Sequence, residues 1–174
     1  MRKIFLLLLT MLLAACNLPG PTAPVTETPG AGYTQCAWNW ATQPLPELSA
    51  QVQSALEAAG LTGITASAEA YGENCITATG VVDHFAAMET DFRITVQVAS
   101  LSDLEALGAL LEQILVVLDT FPPGATPGPN AGYVGVAFQT GNEDLNLWFT
   151  AYDGESARAL GLHGSALLEK IQNK

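Results

Sequence analysis

The chain has 174 residues, with six basic residues, seventeen acidic residues and a formal net charge of −11. So acidic a chain disfavours binding to nucleic acid or to anionic headgroups, because both need clusters of Lys and Arg. No Cys or His neighbours another at metal-ligand spacing, so we expect neither a metal site nor a cofactor.

The chain begins with a short, positively charged segment followed by an apolar one. Arg2 and Lys3 precede residues 4–15, which are apolar apart from one threonine. A transmembrane helix needs roughly 20 residues, so this run is too short to span a bilayer. Its length is typical of the apolar region of a secretory signal peptide. We therefore predict that residues 1–15 are a leader that is removed.

Leu13-Ala14-Ala15 end the predicted leader, and Cys16 follows them directly. These four residues resemble the lipobox of bacterial lipoproteins, and the resemblance covers only the first sixteen residues. It implies that diacylglycerol is attached to the Cys16 thiol, that cleavage occurs before Cys16, and that the new amine is acylated, as with palmitate. Two acyl chains are enough for stable membrane attachment. The alternative is an ordinary signal peptide with a chance cysteine.

Residues 16–34 are rich in proline and glycine and have no apolar periodicity. This composition predicts a semi-extended tether that follows the lipidated cysteine. Residues 35–174 then provide enough chain for a single domain, and they carry no further family resemblance. The expected location is extracytoplasmic, at the cell surface or the periplasmic face of the envelope.

Two further cysteines, Cys36 and Cys75, remain in the predicted domain. Outside the cytoplasm such a pair usually forms a disulfide. Closing a loop of this size would contribute about 4 kcal/mol of stability. Two free thiols or a metal site are the alternatives.

The first half of the domain predicts one helix and two strands. Apolar spacing indicates a helix from Pro46 to Gly60, and residues 64–70 alternate as a strand. Residues 71–75 have turn chemistry, and residues 75–85 are ambiguous. Residues 91–99 alternate most clearly, with Phe, Ile and Val on one side.

The second half repeats this order. A capping box with Ser102 at the N-cap and Glu105 three residues later predicts a helix that stops before the proline-rich loop at 121–130. Two strands at 132–140 and 145–152 are joined by a hairpin turn. A last helix is predicted from about residue 154 to Ile171.

These elements predict an α+β domain in the order helix-strand-strand-helix-strand-strand-helix. We expect an antiparallel sheet of about four strands with helices packed on one face.

The strand alternation also predicts which side chains lie on the sheet face without helices. The candidate binding residues on that face are Arg93, Gln97, Tyr133, Trp148 and Tyr152. Mixed aromatic and hydrogen-bonding residues favour binding of a peptide, a glycan or a partner domain. Alternatively, the segment carrying Trp38 and Trp40, pinned by the disulfide, lies along the sheet and covers these aromatics.

No catalytic motif is recognisable in the sequence. Asp83 and His84 are adjacent, but adjacency alone does not make a hydrogen-bonded dyad, and His163 is interpreted as a structural or surface histidine. The turn acids are interpreted as solvated, with calcium binding as the alternative; they are Glu143, Asp144, Asp153 and Glu155.

The sequence therefore predicts a lipid-anchored extracytoplasmic protein with a non-catalytic binding or assembly role at the cell envelope. Its partners would be the membrane, through the lipid on Cys16, and an envelope protein, peptide or glycan, but not nucleic acid. An envelope hydrolase that uses acidic residues and a purely structural domain are the alternatives.

Overall fold

The computed structural model describes residues 35–174. The predicted leader at residues 1–15, Cys16 and the tether at residues 16–34 lie outside the described residues.

Within residues 35–174, five strands form one sheet, and their order in space follows their order in the chain. The strands are β1 (Ala37–Pro44), β2 (Ile64–Ile76), β3 (Val82–Gln97), β4 (Asn130–Thr140) and β5 (Glu143–Thr150). The helices are α1 (Pro46–Ala58), α2 (Leu104–Leu118), α3 (Ala151–Ala159) and α4 (Gly164–Gln172). Three neighbouring pairs of strands are antiparallel, whereas β3 and β4 are parallel.

The predicted α+β class is confirmed, but the prediction of about four antiparallel strands was wrong in two respects. The additional strand is β1, which alternation did not reveal because seven of its eight residues are exposed. The parallel pair arises because α2 lies between β3 and β4 and returns the chain to the end of the sheet where β3 began.

Strand β2 runs through residues 71–75, where the sequence predicted a turn. The ladder with β3 shifts register between Tyr71 and Gly72, so one additional residue of β3 is accommodated there. A β-carbon on Gly72 would stand 2.1 Å from the Ala86 carbonyl oxygen. Glycine therefore lets the two strands stay paired at this point.

Helix α2 has a different cap from the predicted one. Asp103 is the N-cap, and its Oδ1 accepts the Ala106 amide at 3.0 Å. Glu105 instead reaches across to α4, where its Oε2 accepts from the amide and the hydroxyl of Ser165 at 2.9 and 2.8 Å. These two hydrogen bonds lower the pKa of Glu105.

The predicted last helix is two helices, α3 and α4, and the strand before them ends earlier than predicted. Thr150 and Asp153 form a capping box that starts α3 directly after β5. Gly161 has φ of +72°, a left-handed conformation that ends the first helix. Gly164 then approaches Gly108 of α2 so closely that a β-carbon on Gly108 would stand 1.9 Å from the Gly164 carbonyl oxygen.

The core lies between one face of the sheet and the helices. Helices α1, α2 and α4 contribute buried apolar stripes, and the strands contribute alternate residues. The strand residues in this core include Ala68, Phe92, Ile94, Val96, Val134, Val136, Phe138, Leu147 and Phe149. The intervening strand residues must therefore face away from the helices.

The predicted disulfide between Cys36 and Cys75 is present, with the two α-carbons 4.9 Å apart. It joins the residue before β1 to the end of β2, where Trp38 pairs with Cys75. The bond therefore fastens the beginning of the edge strand to its neighbour.

Candidate binding face

The helix-free side of the sheet is called the open face here. It is formed by alternate residues of all five strands, and its strands meet at the positions that the register fixes. Its members include Trp38, Trp40, Glu69, Tyr71, Glu73, His84, Asp91, Arg93, Thr95, Gln97, Tyr133, Gly135, Gln139, Asn146 and Trp148.

An aromatic pair lies on the β4–β5 part of the open face. The rings of Tyr133 and Trp148 are stacked, with centroids 5.4 Å apart and planes 4° from parallel. Gly135 is the cross-strand partner of Trp148, and a β-carbon there would stand 2.8 Å from two indole carbons. The indole therefore lies close to a glycine backbone, where any other residue would crowd it, and 48% of Trp148 remains exposed.

Arg93 connects this aromatic pair to a carboxylate. Its guanidinium carbon lies 4.7 Å from the centroid of the Trp148 ring, within cation–π range. Its Nε and Nη2 donate to Glu69 Oε1 at 3.0 and 2.8 Å. The Arg93 side chain is still 56% exposed, so it is held in place while remaining accessible.

Asp91 orients the backbone that carries Tyr133. It is buried, and its Oδ1 accepts the Tyr133 amide at 2.7 Å where the β3–β4 ladder shifts register. Desolvation raises the pKa of Asp91, as does the charge of Glu69, whereas the Tyr133 amide and Arg93 oppose this shift. A buried carboxyl thus replaces the missing ladder partner of the Tyr133 amide.

Glu89 is the second carboxyl with a raised pKa in this region. Partial burial is the main cause, and the charge of Asp91 adds to it. Paired carboxyls with raised pKa values are one ingredient of acid–base chemistry. However, cavities of about 350, 370 and 380 Å³ within residues 35–174 are lined by other residues than these two.

The segment carrying Trp38 and Trp40 does not cover the aromatics of β4 and β5. It forms β1, which pairs edge to edge with β2. Trp40 stacks on Tyr71 at 5.3 Å, and Trp38 meets His84 edge-on at 5.5 Å. Both indoles remain about half exposed, so they extend the open face.

Four of the five predicted face residues lie on the open face, and Tyr152 does not. Gln97 donates from Nε2 to Gln139 Oε1 at 2.9 Å and so continues the face along β3 and β4. Tyr152 belongs to α3 and lines a cavity beside Leu118 and Phe121, on the helix side. The capping box at Thr150 ends the strand before alternation reaches Tyr152.

The sequence treated Asp83 and His84 only as chain neighbours, but the structure joins them by a hydrogen bond. His84 Nδ1 lies 2.9 Å from Asp83 Oδ2, and both side chains are about half exposed. Cys75 Sγ is close to the ligand atoms of both residues, but it belongs to the disulfide and is not a free thiolate. Metal coordination by this group therefore lacks its third ligand.

Of the remaining titratable candidates, His163, Asp153 and Glu155 are separate from the open face, whereas Asp144 lies on it opposite Gln139. His163 is exposed at the N-cap of α4 and contacts Glu112 at 2.8 Å. Asp153 pairs with Lys174 and caps α3, which lowers its pKa. Asp144 accepts from Asn146, and Glu155 lines the Tyr152 cavity.

The sequence did not identify Glu69, Asp91 or Gly135 as parts of this face. Alternation alone places each residue on a face but does not show which residues on different strands touch. The signal for Gly135 was a glycine inside a strand pattern, which often marks a close approach by another group.

No family model, curated protein or solved structure matches this chain. Within residues 35–174, none of the helices is long and apolar enough to cross a membrane. Conclusions about function therefore depend on the geometry of the open face and on the sequence that precedes it.

Proposed function

We propose that this chain is a lipid-anchored extracytoplasmic protein with a non-catalytic role, binding an envelope partner through the open face. The observation that carries this proposal is the exposed Trp148, which stacks with Tyr133, contacts Arg93 and is left uncovered by β1. The partner we propose is a polypeptide, either a peptide or a partner domain, rather than a glycan.

The choice of a polypeptide follows from the side chains. Trp, Tyr and Arg are the residues that most often dominate the binding energy of protein interfaces. Tyr133, Trp148 and Arg93 form one contiguous cluster with its neighbours fixed by Glu69 and Asp91. Such preorganisation lowers the entropy lost on binding, because the side chains are already held in place.

The anchoring part of the proposal depends on the lipobox at Leu13-Ala14-Ala15-Cys16 and on the proline-rich residues that follow it. A disulfide between Cys36 and Cys75 agrees with an oxidising compartment. A tether would let the domain reach partners away from the bilayer surface.

Anchoring is tested by metabolic labelling with an alkyne fatty acid. The wild-type chain should be labelled and Cys16→Ala should not, because the thioether needs the sulfur of Cys16. Cys36→Ala is the matched control, since it removes another cysteine and should keep the label. Label retained in Cys16→Ala would contradict the anchor.

Partner binding is tested by photo-crosslinking in intact cells. A crosslinking residue at Thr95, between Arg93 and Gln97, should give one defined adduct with a second polypeptide. The same residue at Val116, exposed on α2, is the control and should not give that adduct.

The adduct should also depend on the aromatic cluster. Trp148→Ala should cost about 2 kcal/mol of binding energy, or roughly a 30-fold loss of affinity, as interface hot spots do. Leu160→Ala, at a position that is 70% exposed and lies outside the sheet, should leave the adduct unchanged. An adduct that survives Trp148→Ala and Arg93→Ala together, with the fold intact by circular dichroism, would contradict the proposal.

A further inference from the structure

The sheet has two edges, and β1 forms one of them. Within residues 35–174, only β2 is hydrogen-bonded to β1, so in that part of the chain the backbone groups that alternate toward its other side have no strand partner. Seven of its eight residues are exposed and the eighth is half-buried. Such a strand is a ready template for pairing with another extended chain.

The other edge, β5, is protected in ways that β1 is not. Strand β5 begins with two charged residues, Glu143 and Asp144, and runs directly into α3. Strand β1 contains no charged residue, and its single proline stands at the very end. Proteins usually protect exposed sheet edges with charge, proline or a covering element. Strand β1 lacks such protection along most of its length within residues 35–174, which favours pairing with a partner strand.

We propose that β1 accepts an extended, basic polypeptide segment as a sixth strand of the sheet. This inference rests on the proposed function in one respect, that the partner is a polypeptide. It adds the mode of binding, which is strand addition at the β1 edge, and the chemistry of the segment.

The preference for a basic segment comes from the charges beside the edge. Residues 37–76, which include β1 and β2, contain four glutamates and no Lys or Arg. Glu73 pairs across the ladder with Trp40 and points to the same face. On β3 the nearest cation, Arg93, is already paired with Glu69.

The spacing of the added strand places its cations over the tryptophans. A sixth strand would lie about 4.8 Å outside β1, and every second side chain would face the same way as Trp38 and Trp40. A Lys or Arg at such a position can lie against an exposed indole and extend toward Glu73. Lys or Arg at alternate positions is therefore the expected pattern.

A second copy of this chain is a poorer occupant of the edge. Pairing β1 with itself would bring together two chains that each carry seventeen acidic and six basic residues. Net charges of the same sign repel and oppose this association.

The test uses the purified, oxidised chain and three synthetic peptides measured by tryptophan fluorescence and calorimetry. The first peptide alternates Lys and Val over nine residues, the second replaces every Lys with Glu, and the third replaces every Lys with Ser. The Lys peptide should bind at least tenfold more tightly than either of the others. Equal binding of the Glu peptide would overturn the charge assignment.

Strand addition is tested with N-methylated versions of the Lys peptide. Methyl groups on alternate amides remove the donors on one side of the peptide only. One methylation pattern should weaken binding at least tenfold, while the other, which faces solvent, should leave it unchanged. Equal affinity of the two patterns would overturn strand addition, as would dimerisation through β1 that excludes the peptide.

Three variants assign the site. Glu73→Gln should reduce affinity for the Lys peptide about threefold to fivefold, whereas Glu169→Gln on α4 should not change it. Leu160→Ala should leave peptide binding intact, because Leu160 follows α3 and is not part of the sheet. If the wild-type chain binds the Lys peptide but gives no crosslinked partner at Thr95, the result counts against the proposed function alone. If it gives the crosslinked partner but does not bind the Lys peptide, the result counts against this inference alone.

Discussion

Two aromatic pairs lie on the open face with nearly the same geometry but with different support. Trp40 and Tyr71 stack at 5.3 Å and 3°, and Tyr133 and Trp148 stack at 5.4 Å and 4°. The first pair belongs to the edge strand and its neighbour, which the disulfide joins. The second pair lies on β4 and β5, whose opposite faces are buried in the core.

The comparison shows that one stacking geometry can be maintained in two ways. At the edge, a covalent bond fixes the strands that carry the rings. At β4 and β5, core packing fixes the strands, and Gly135 provides the space in which Trp148 lies. The second pair also contacts Arg93, so a positive charge lies directly beside rings that core packing holds in place.

The largest expected effect comes from removing the disulfide. Cys36→Ala with Cys75→Ala should lower the free energy of unfolding by about 4 kcal/mol, because the open loop of the unfolded chain gains entropy. Urea unfolding measures this loss, and the reduced wild type should match the double variant. Chemical shifts of Trp40 and Tyr71 should change, whereas those of Tyr133 and Trp148 should not. Equal chemical-shift changes in both aromatic pairs would contradict the conclusion that the disulfide holds only the Trp40–Tyr71 pair in place.

The converse experiment fills the space under the second pair. Gly135→Val should displace the Trp148 ring and destabilise the fold by about 1–3 kcal/mol, as overpacking does. Ring-current shifts on Tyr133 should be lost in NMR spectra, while the Trp40–Tyr71 stack stays intact. Ala137→Val, two residues further along the same strand face, is the control and should change neither stack.

The buried carboxyl of Asp91, which accepts the Tyr133 amide, should make the free energy of unfolding depend on pH. Asp91→Ala should cost about 1–3 kcal/mol, because the Tyr133 amide loses its acceptor, whereas Asp91→Asn keeps an acceptor oxygen. The pKa of Asp91 is raised on folding, so ionisation opposes folding above the ordinary value of 3.8.

Asp91→Asn should therefore be more stable than the wild type at neutral pH, and this advantage should shrink as pH falls toward 3.8. Thermal melts across this pH range measure the difference. If the stability advantage of Asp91→Asn grew as pH fell, the pKa of Asp91 would be lowered on folding and the expectation would be wrong.

The smallest expected effect is the loss of one stack. Tyr71→Leu keeps apolar bulk beside Trp40 but removes the ring, which should cost about 0.5–1.5 kcal/mol. The Trp40 indole should become more exposed to fluorescence quenchers. Quenching of a chain in which Trp40 is the only tryptophan retained reports this directly, and an unchanged quenching constant would contradict the contact.

Much of the sheet and of the open face could be predicted from the sequence. Alternation at residues 91–99 correctly placed Phe92, Ile94 and Val96 toward the helices and Arg93 and Gln97 away from them. Alternation failed at β1, where exposure on both sides removes the periodic signal, and at Tyr152, where a capping box begins a helix. The bond from Glu105 to Ser165 spans 60 residues, so no local pattern predicted it.

The sequence by itself determined the secondary-structure periods, the cysteine pair and the acidic balance, because each depends on residue type and local spacing. Tertiary structure alone decided that β3 and β4 are parallel, that Arg93 meets Trp148 across 55 residues of chain, and that β1 lies beside the face without covering it. The physical reason is register: side-chain neighbours on different strands are set by how the strands align, and that alignment depends on the packing of the whole core.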